Sequence, residues 1–165
     1  MDSIELIRDN LIRSAGRVLS RIEDMKDHGF VFPTPNGGSH TIWVLGHLAT
    51  IEGMVIHRFM LGEPNPLSRW EELFDGADIR DEPDAYPSFA EVLAQCRDMR
   101  ALTMAVLDGF SEADLDRSST AAPEGSGDLF GTYRHCLQFV ADHAYMHRGQ
   151  LADARRVAGV DRMWF

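Results

Sequence analysis

Two histidines stand four residues apart near the end of the sequence, His143 and His147, inside a stretch with the pattern of a long amphipathic helix. Residues at this spacing lie on one face of a helix with Cβ atoms about 5–6 Å apart, so both imidazoles can reach a single metal ion. The rest of that face is apolar and carries Cys136, Val140, Leu151, Ala154 and Ala158. We therefore expect both histidines to point into the protein.

A third histidine, His47, has a similar setting on an earlier predicted helix. It follows Trp43 by four residues and precedes Ile51 by four, so it shares their apolar face. Three neutral imidazoles suit Zn²⁺, Ni²⁺, Cu²⁺ or Fe²⁺, whereas Mg²⁺ and Ca²⁺ prefer oxygen ligands. Three protein ligands also leave at least one coordination position for water or substrate, which is typical of catalytic metal sites.

Several neighbouring residues limit the chemistry. Ala144 occupies the position where an HExxH metalloprotease carries its glutamate, so protease chemistry is disfavoured. Gln150 is a candidate to orient the bound water or a ligand, or is equally a polar residue at the rim of a bundle. His57 and His135 are turned about 80° away from the candidate ligands on their helices, and we do not include them in the site.

The two cysteines, Cys96 and Cys136, lie in predicted helices without CxxC spacing. This excludes a zinc ribbon and gives no disulfide framework, so we expect buried free thiols. Cys136 is about two turns, or roughly 10 Å, from His143, which is too far to join both histidines around one ion. No adjacent cation on that face favours a reactive thiolate.

The first half of the chain predicts two helices. Apolar residues recur at three- and four-residue intervals over residues 3–26, and a loop with two prolines and three glycines follows over residues 28–38. The second helix should begin near Ser39 or Thr41, either of which suits the N-cap, and end at about residue 61 before Gly62.

The second half predicts two more helices. Ser88 with Glu91 three residues later indicates the start of a helix that runs to about residue 107. A fourth helix should span residues 130–158, with Gly159 in the position usual for a helix C-terminus.

Two long connections join these helices, at residues 62–87 and 111–128. Within the first, Ser68 and Glu71 fit a capping box, which predicts a short helical turn over residues 68–74. Long connections often cover functional sites, so this one is a candidate lid. The alternative is a loop that packs Trp70 and Phe74 on the helices.

The pattern as a whole predicts an all-α protein. Four amphipathic helices without alternating strand patterns favour an antiparallel four-helix bundle, in which inward side chains of facing helices commonly bind metals. The chain has 165 residues, and we expect residues 1–165 to form a single domain. His47 can then converge with the His143/His147 pair.

The net charge and the lack of targeting patterns limit the functions that the sequence favours. Sixteen Lys and Arg residues against 26 Asp and Glu give a net charge of −10, which disfavours nucleic-acid binding and anionic membrane surfaces. The sequence has neither the pattern of a signal peptide nor an apolar run of about 18 residues. We expect a cytoplasmic protein without a membrane or nucleic-acid partner.

The segments Trp43-Val44-Leu45-Gly46-His47-Leu48-Ala49 and, about a hundred residues later, His143-x-x-x-His147-Arg148-Gly149-Gln150-Leu151 resemble the DinB/YfiT-like metal-dependent proteins. The resemblance spans essentially the whole chain. It implies a DinB-type four-helix bundle and a divalent metal, often zinc or nickel, held by His47, His143 and His147.

The same resemblance bears on activity and assembly. Characterised relatives include isomerases and S-transferases that use mycothiol or bacillithiol, and homodimers are common. The family name comes from damage-inducible expression and implies no DNA chemistry. The apolar tail, Met163, Trp164 and Phe165, is compatible with a homodimer or with docking of the tail on its own bundle.

Three functional hypotheses follow. The leading one is a metal-dependent enzyme whose ion lowers the pKa of a bound thiol or water, which then attacks an electrophilic small molecule. The resemblance favours thiol-dependent S-transfer over hydrolysis. The second is a non-catalytic metal- or ligand-binding stress-response module. The third is that the histidines are core residues satisfied by hydrogen bonds.

Overall fold

The computed structural model describes residues 2–76, 79–80 and 82–161, and these ranges form helices and no β-strand, which confirms the all-α class. Four α-helices in the described ranges exceed ten residues. They are α1 (Ser3–Leu19), α2 (Thr41–Gly53), α3 (Phe89–Asp108) and α4 (Tyr133–Val157). None of the described helices is long and apolar enough to cross a lipid bilayer.

The first helix is shorter than the sequence predicts. It starts at a capping box in which the Glu5 N–H donates to Asp2 Oδ1 at 2.8 Å, but it ends at Leu19. Arg21 then adopts a left-handed conformation with φ of 56°, and residues Ile22–His28 form a 3₁₀ helix. The continuous helix expected over residues 3–26 is therefore wrong. The break is stabilised by Arg155, whose Nη1 donates to the Arg21 carbonyl oxygen at 2.9 Å.

The helical segment that begins with α2 ends where expected, but its N-cap is different. His40 is the N-cap, and its Nδ1 accepts a hydrogen bond from the Trp43 N–H at 3.1 Å, so neither Ser39 nor Thr41 has this role. The chain continues from α2 as a π-helix, Met54–Leu61, and stops at Gly62 with φ of 75°. Nearly every α2 side chain is buried, which makes α2 the central helix.

The caps of α3 and α4 are set by hydroxyl side chains. The Glu91 N–H donates to Ser88 Oγ at 3.2 Å, which confirms the predicted start of α3. The fourth helix begins three residues later than expected, since Gly127–Phe130 forms a separate turn and Thr132 caps α4. Gly159, with φ of 72°, follows the C-terminus of α4 as predicted.

The connection between α2 and α3 contains the predicted helical turns, a 3₁₀ turn at Ser68–Trp70 and a single α turn at Glu71–Phe74. The predicted capping box is absent, because the Glu71 carboxylate accepts hydrogen bonds from Arg58 at 2.5 Å and from Asn65 at 2.8 Å instead. These contacts attach the connection to the end of the π-helix.

Two apolar clusters show the directions of the helices. One cluster joins the C-terminal end of α1, the N-terminal halves of α2 and α3 and the C-terminal half of α4. The other joins the N-terminal half of α1, the π-helix that continues α2, the C-terminal half of α3 and the N-terminal half of α4. Hence α1 and α4 run one way, and α2 and α3 run the other. The consecutive helices α2 and α3 are therefore parallel, whereas the sequence favoured an antiparallel arrangement.

A buried ion pair joins α1, α2 and α3. Arg100 Nε and Nη2 donate to the two carboxylate oxygens of Glu52 at 2.7 and 2.9 Å. The same guanidinium donates to the Leu11 carbonyl oxygen at 2.5 Å. Burial alone would lower the pKa of Arg100. The Glu52 carboxylate stabilises the protonated guanidinium, and the net result is a raised pKa. Charges this deeply buried need such partners.

Candidate metal centre

The three candidate ligands come together where α2 packs against α4. His47 Nε2 lies 3.2 Å from His143 Nε2, and His147 Nε2 lies 3.0 Å from the same atom. The three potential ligand atoms all lie within 4.8 Å of one another. His147 is buried at 5% exposure, and the other two histidines are half-buried. The structure thus brings together the residues that the sequence analysis selected.

Two of the three nitrogen separations match those between ligands of one metal ion. For metal–nitrogen distances of 2.0–2.1 Å, ligand angles between octahedral and tetrahedral values place neighbouring nitrogens about 2.8–3.4 Å apart. The nitrogen pairs at 3.0 and 3.2 Å fall inside that range. The three imidazoles can therefore hold a divalent metal ion in a common centre, as their donor chemistry allows.

Hydrogen bonds on the other ring nitrogens fix two of the tautomers. His47 Nδ1 lies 2.6 Å from the Phe74 carbonyl oxygen, which can only accept, so Nδ1 carries the hydrogen. His147 Nδ1 lies 2.6 Å from Gln150 Oε1 and donates to it in the same way. Each neutral ring then presents an Nε2 lone pair to the centre. Such partners orient metal-binding histidines in many proteins.

The convergence of lone pairs favours a cation. His143 Nε2 contacts the Nε2 atoms of both His47 and His147. A neutral His143 protonated on Nε2 donates one hydrogen, which can satisfy one of the two lone pairs well. A metal ion satisfies all three nitrogens at once.

Burial keeps these imidazoles neutral. It lowers the pKa of His47 to about 4 and that of His143 to about 3, and the neighbouring histidines add to both effects. Burial also lowers the pKa of His147, although the hydrogen bond to Gln150 acts in the opposite direction. The deprotonated ring is the form that binds a metal ion, so the site is prepared for binding at neutral pH.

Two aromatic rings lie on the histidines. Trp43 stacks on His47 with ring centroids 4.4 Å apart and an interplanar angle of 12°. Phe139 stacks on His143 at 5.3 Å and 17°. Each aromatic residue precedes its histidine by four positions, so the helical spacing contained the signal for these contacts. They restrict the orientation of the rings and limit access of water to their faces.

The contact from Phe74 was not visible in the sequence, since it is made by a backbone carbonyl group. The Phe74 ring is fully buried against Gly46, where a Cβ atom would overlap it. The absence of a side chain at Gly46 thus permits the approach of Phe74 to α2. The connection packs Trp70 and Phe74 on the helices, as one of the two alternatives predicted, and it also contacts a candidate ligand.

The remaining histidines and cysteines discussed above lie outside the centre. His57 Nδ1 contacts Glu63 Oε2 at 3.3 Å, and His135 Nδ1 contacts the Gly127 carbonyl oxygen at 3.2 Å. Both cysteines are buried and free, as expected. Burial raises the pKa of Cys96 to about 12 and also raises that of Cys136, so neither offers a thiolate at neutral pH.

A cavity of about 430 Å³ opens beside His143. Apolar side chains from Leu129, Phe139 and Met146 form part of its wall, and Asp128 and Asp142 add carboxylates. Its volume suits a small molecule. The candidate metal centre therefore has a compartment next to one of its ligands.

The fold is shared with a solved structure, described as the crystal structure of the conserved protein of locus from Enterococcus faecalis. The two chains are 19% identical, with a TM-score of 0.66, and the match covers 96% of this chain and 99% of the other. A search of curated proteins finds no match. The family model of the DinB superfamily matches residues 10–151, a range that contains all three histidines. This chain therefore belongs to the DinB superfamily.

Proposed function

We propose that the protein is a metal-dependent enzyme in which His47, His143 and His147 hold one divalent ion, zinc or nickel. This proposal is supported by the positions of three Nε2 atoms. Those of His47 and His147 lie 3.2 and 3.0 Å from that of His143, and the His47 and His147 rings are held by hydrogen bonds through Nδ1. Three ligands leave a position for a water molecule or a substrate.

The ion supplies Lewis-acid chemistry by lowering the pKa of a thiol or water bound at that position. The protein supplies the geometry of the metal site. Phe74 and Gln150 hold the Nδ1 hydrogens of two ligand rings, and Trp43 and Phe139 shield the ring faces. The cavity beside His143 receives the small-molecule substrate.

We propose thiol-dependent S-transfer as the reaction. Support comes from the family resemblance, because characterised relatives use low-molecular-weight thiols. The raised pKa values of Cys96 and Cys136 also mean that the thiol comes from a co-substrate rather than from this chain. In the reaction the thiol loses its proton to solvent, a sulfur–carbon bond forms, and the leaving group departs with the electron pair.

We also propose that residues 1–165 form one domain in which the four long helices make a four-helix bundle. We further propose a cytoplasmic location, a homodimer and no nucleic-acid partner, the last supported by the net charge of −10. The apolar tail residues Met163, Trp164 and Phe165 lie outside the described residues. Light scattering of the purified protein tests the homodimer.

The test of the reaction is a conjugation assay. The protein is loaded with zinc or nickel and incubated with cysteine, N-acetylcysteine or glutathione and the electrophile 1-chloro-2,4-dinitrobenzene. We expect turnover that depends on the metal and is lost in a His143→Ala/His147→Ala variant. Equal turnover in the variant contradicts the proposed site. A metal-loaded protein that catalyses neither thiol conjugation nor hydrolysis supports the non-catalytic binding module instead.

A further inference from the structure

The indole N–H of Trp43 is an unsatisfied donor at the candidate metal centre. The Trp43 side chain is buried, with the residue 7% exposed, and its Nε1 atom has no hydrogen-bond partner among the described residues. An indole nitrogen donates and cannot accept, and leaving a buried donor unpaired costs free energy. Buried tryptophans usually find a partner for this group.

The position of Trp43 separates it from other buried groups without a partner. Its ring stacks on His47 at 4.4 Å and lies 6.3 Å from the ring of His147, so it contacts or adjoins two of the three candidate ligands. The buried hydroxyl groups of Thr41 and Thr103 also have no partner within the described part of the chain, but those hydrogens can rotate. The indole hydrogen is fixed in the plane of its ring.

We propose that Trp43 Nε1 donates a hydrogen bond to the exogenous ligand at the open position of the metal, and that this ligand presents an anionic acceptor atom. This inference rests on the proposed three-histidine centre. All three protein ligands are neutral, so the charge of a divalent ion is not balanced by the chain and an anion is favoured at the remaining position. A hydrogen bond from a buried donor to an anion is stronger than one to a neutral acceptor.

Trp43 is therefore a ligand-binding residue that favours anionic over neutral occupants of the centre. A thiolate or a carboxylate oxygen has the required chemistry. The stacking on His47 explains why the donor has a fixed location, and the spacing of four residues on α2 explains the stacking. The stacking on His47 and the N–H donor both belong to Trp43, so the helix that selects the exogenous ligand, α2, is also the helix that provides the metal ligand His47.

Azide binding to the Co²⁺-loaded protein tests this inference. The Trp43→Phe variant keeps an aromatic ring against His47 but removes the N–H. We expect its azide affinity, measured from the visible spectrum of Co²⁺, to fall about tenfold or more. Azide affinity is compared at saturating Co²⁺, so that any change in metal affinity does not enter the comparison. The Trp70→Phe variant is the matched control and should bind azide as the wild type does.

A second measurement does not depend on the folding of the variant. In ¹⁵N-labelled wild-type protein loaded with zinc, the Trp43 indole N–H resonance, assigned through its proximity to the His47 ring, should shift downfield when azide binds. An unchanged Trp43 resonance at saturating azide overturns the inference.

The outcomes separate this inference from the proposed function. Equal azide affinity in the wild type and the Trp43→Phe variant overturns the role of Trp43 and leaves the metal centre intact. A wild-type protein that binds Co²⁺ but no azide overturns the open position, and the inference with it. A wild-type protein that binds no Co²⁺ overturns both.

Discussion

His47 Nδ1 and the carbonyl oxygen of Phe74 lie 2.6 Å apart, and this hydrogen bond joins the candidate metal centre to the connection between α2 and α3. The donor side of the bond belongs to a candidate ligand on the central helix. The acceptor side belongs to a short helical turn whose position depends on Gly46 and on the Glu71 contacts with Arg58 and Asn65. We therefore expect metal binding and the packing of the connection to be coupled.

The coupling predicts an effect of Gly46→Ala. The added Cβ overlaps the buried Phe74 ring, so Phe74 must move and its carbonyl must withdraw from His47. We expect metal affinity to fall about tenfold or more, as is usual when a hydrogen-bond partner of a metal-binding histidine is lost. Competition with a chromogenic chelator measures this affinity.

The matched control is Gly149→Ala on α4, where a Cβ meets nothing within 4 Å. That variant should retain wild-type metal affinity and gain helix stability of about 0.5–1 kcal/mol. Wild-type affinity in Gly46→Ala, with a correctly folded protein, contradicts the proposed role of the Phe74 carbonyl group.

Gln150 should act on metal affinity through His147. Gln150→Leu removes the acceptor that lies 2.6 Å from His147 Nδ1, so the ring loses its fixed orientation and tautomer. We expect about tenfold or more weaker metal binding in isothermal titration. Gln138→Leu is the control, since the Gln138 amide pairs with Asp142 at 3.0 Å and contacts none of the three ligands. Identical affinities in both variants would count against the assignment.

The metal-free protein should lose stability in mild acid. Burial lowers the pKa of His47 to about 4 and of His143 to about 3, from a usual value of 6.5. Below that usual value the unfolded chain binds protons that the folded chain does not. The stability that the neutral His47 and His143 contribute is therefore fully present above about pH 6.5. It is lost as the pH falls towards the pKa values of the folded protein.

Urea unfolding of chelator-treated protein at about pH 7 and about pH 5 checks this dependence. The unfolding midpoint should be lower at the acidic pH, and His143→Gln should show a smaller difference between the two conditions. His135→Gln, at a histidine outside the centre, should keep the full difference. A midpoint that does not change with pH argues against neutral, buried imidazoles.

The ion pair between Arg100 and Glu52 should contribute to folding rather than to metal binding. Arg100→Met leaves the buried Glu52 carboxylate without its partner, and we expect a loss of about 3–5 kcal/mol in the free energy of unfolding. Arg97→Met is the control, because the Arg97–Glu23 pair is exposed and should contribute no more than about 1 kcal/mol. Urea unfolding curves compare the variants, and a small loss in Arg100→Met would show that Glu52 is easily solvated.

The sequence predicted the parts of the fold that depend on local patterns. The Ser88 cap, the end of the second helix before Gly62 and the position of Gly159 all follow from side-chain or backbone preferences of single residues. The break after Leu19 and the parallel course of α2 and α3 were missed. Both depend on partners distant in sequence, such as Arg155 for Arg21.

The candidate site shows the same division. Spacing on two helices was enough to select the histidines, since i and i+4 residues share a face and bundles bind metals between helices. The same spacing relates Trp43 and Phe139 to their histidines, but only the Trp43–His47 spacing was used in the prediction, and the contact of Phe139 was found from the structure. The Phe74 carbonyl has no side-chain signature, so its contact with His47 could be found only from the structure.

Metal content tests the central claim most directly. Protein purified without chelator is analysed by inductively coupled plasma mass spectrometry, alongside His143→Ala/His147→Ala and the control His135→Ala, which alters a histidine of α4 outside the centre. We expect one divalent ion per chain in the wild type and the control, and almost none in the double variant. Equal metal content in all three proteins, or none in the wild type even after loading, would contradict it.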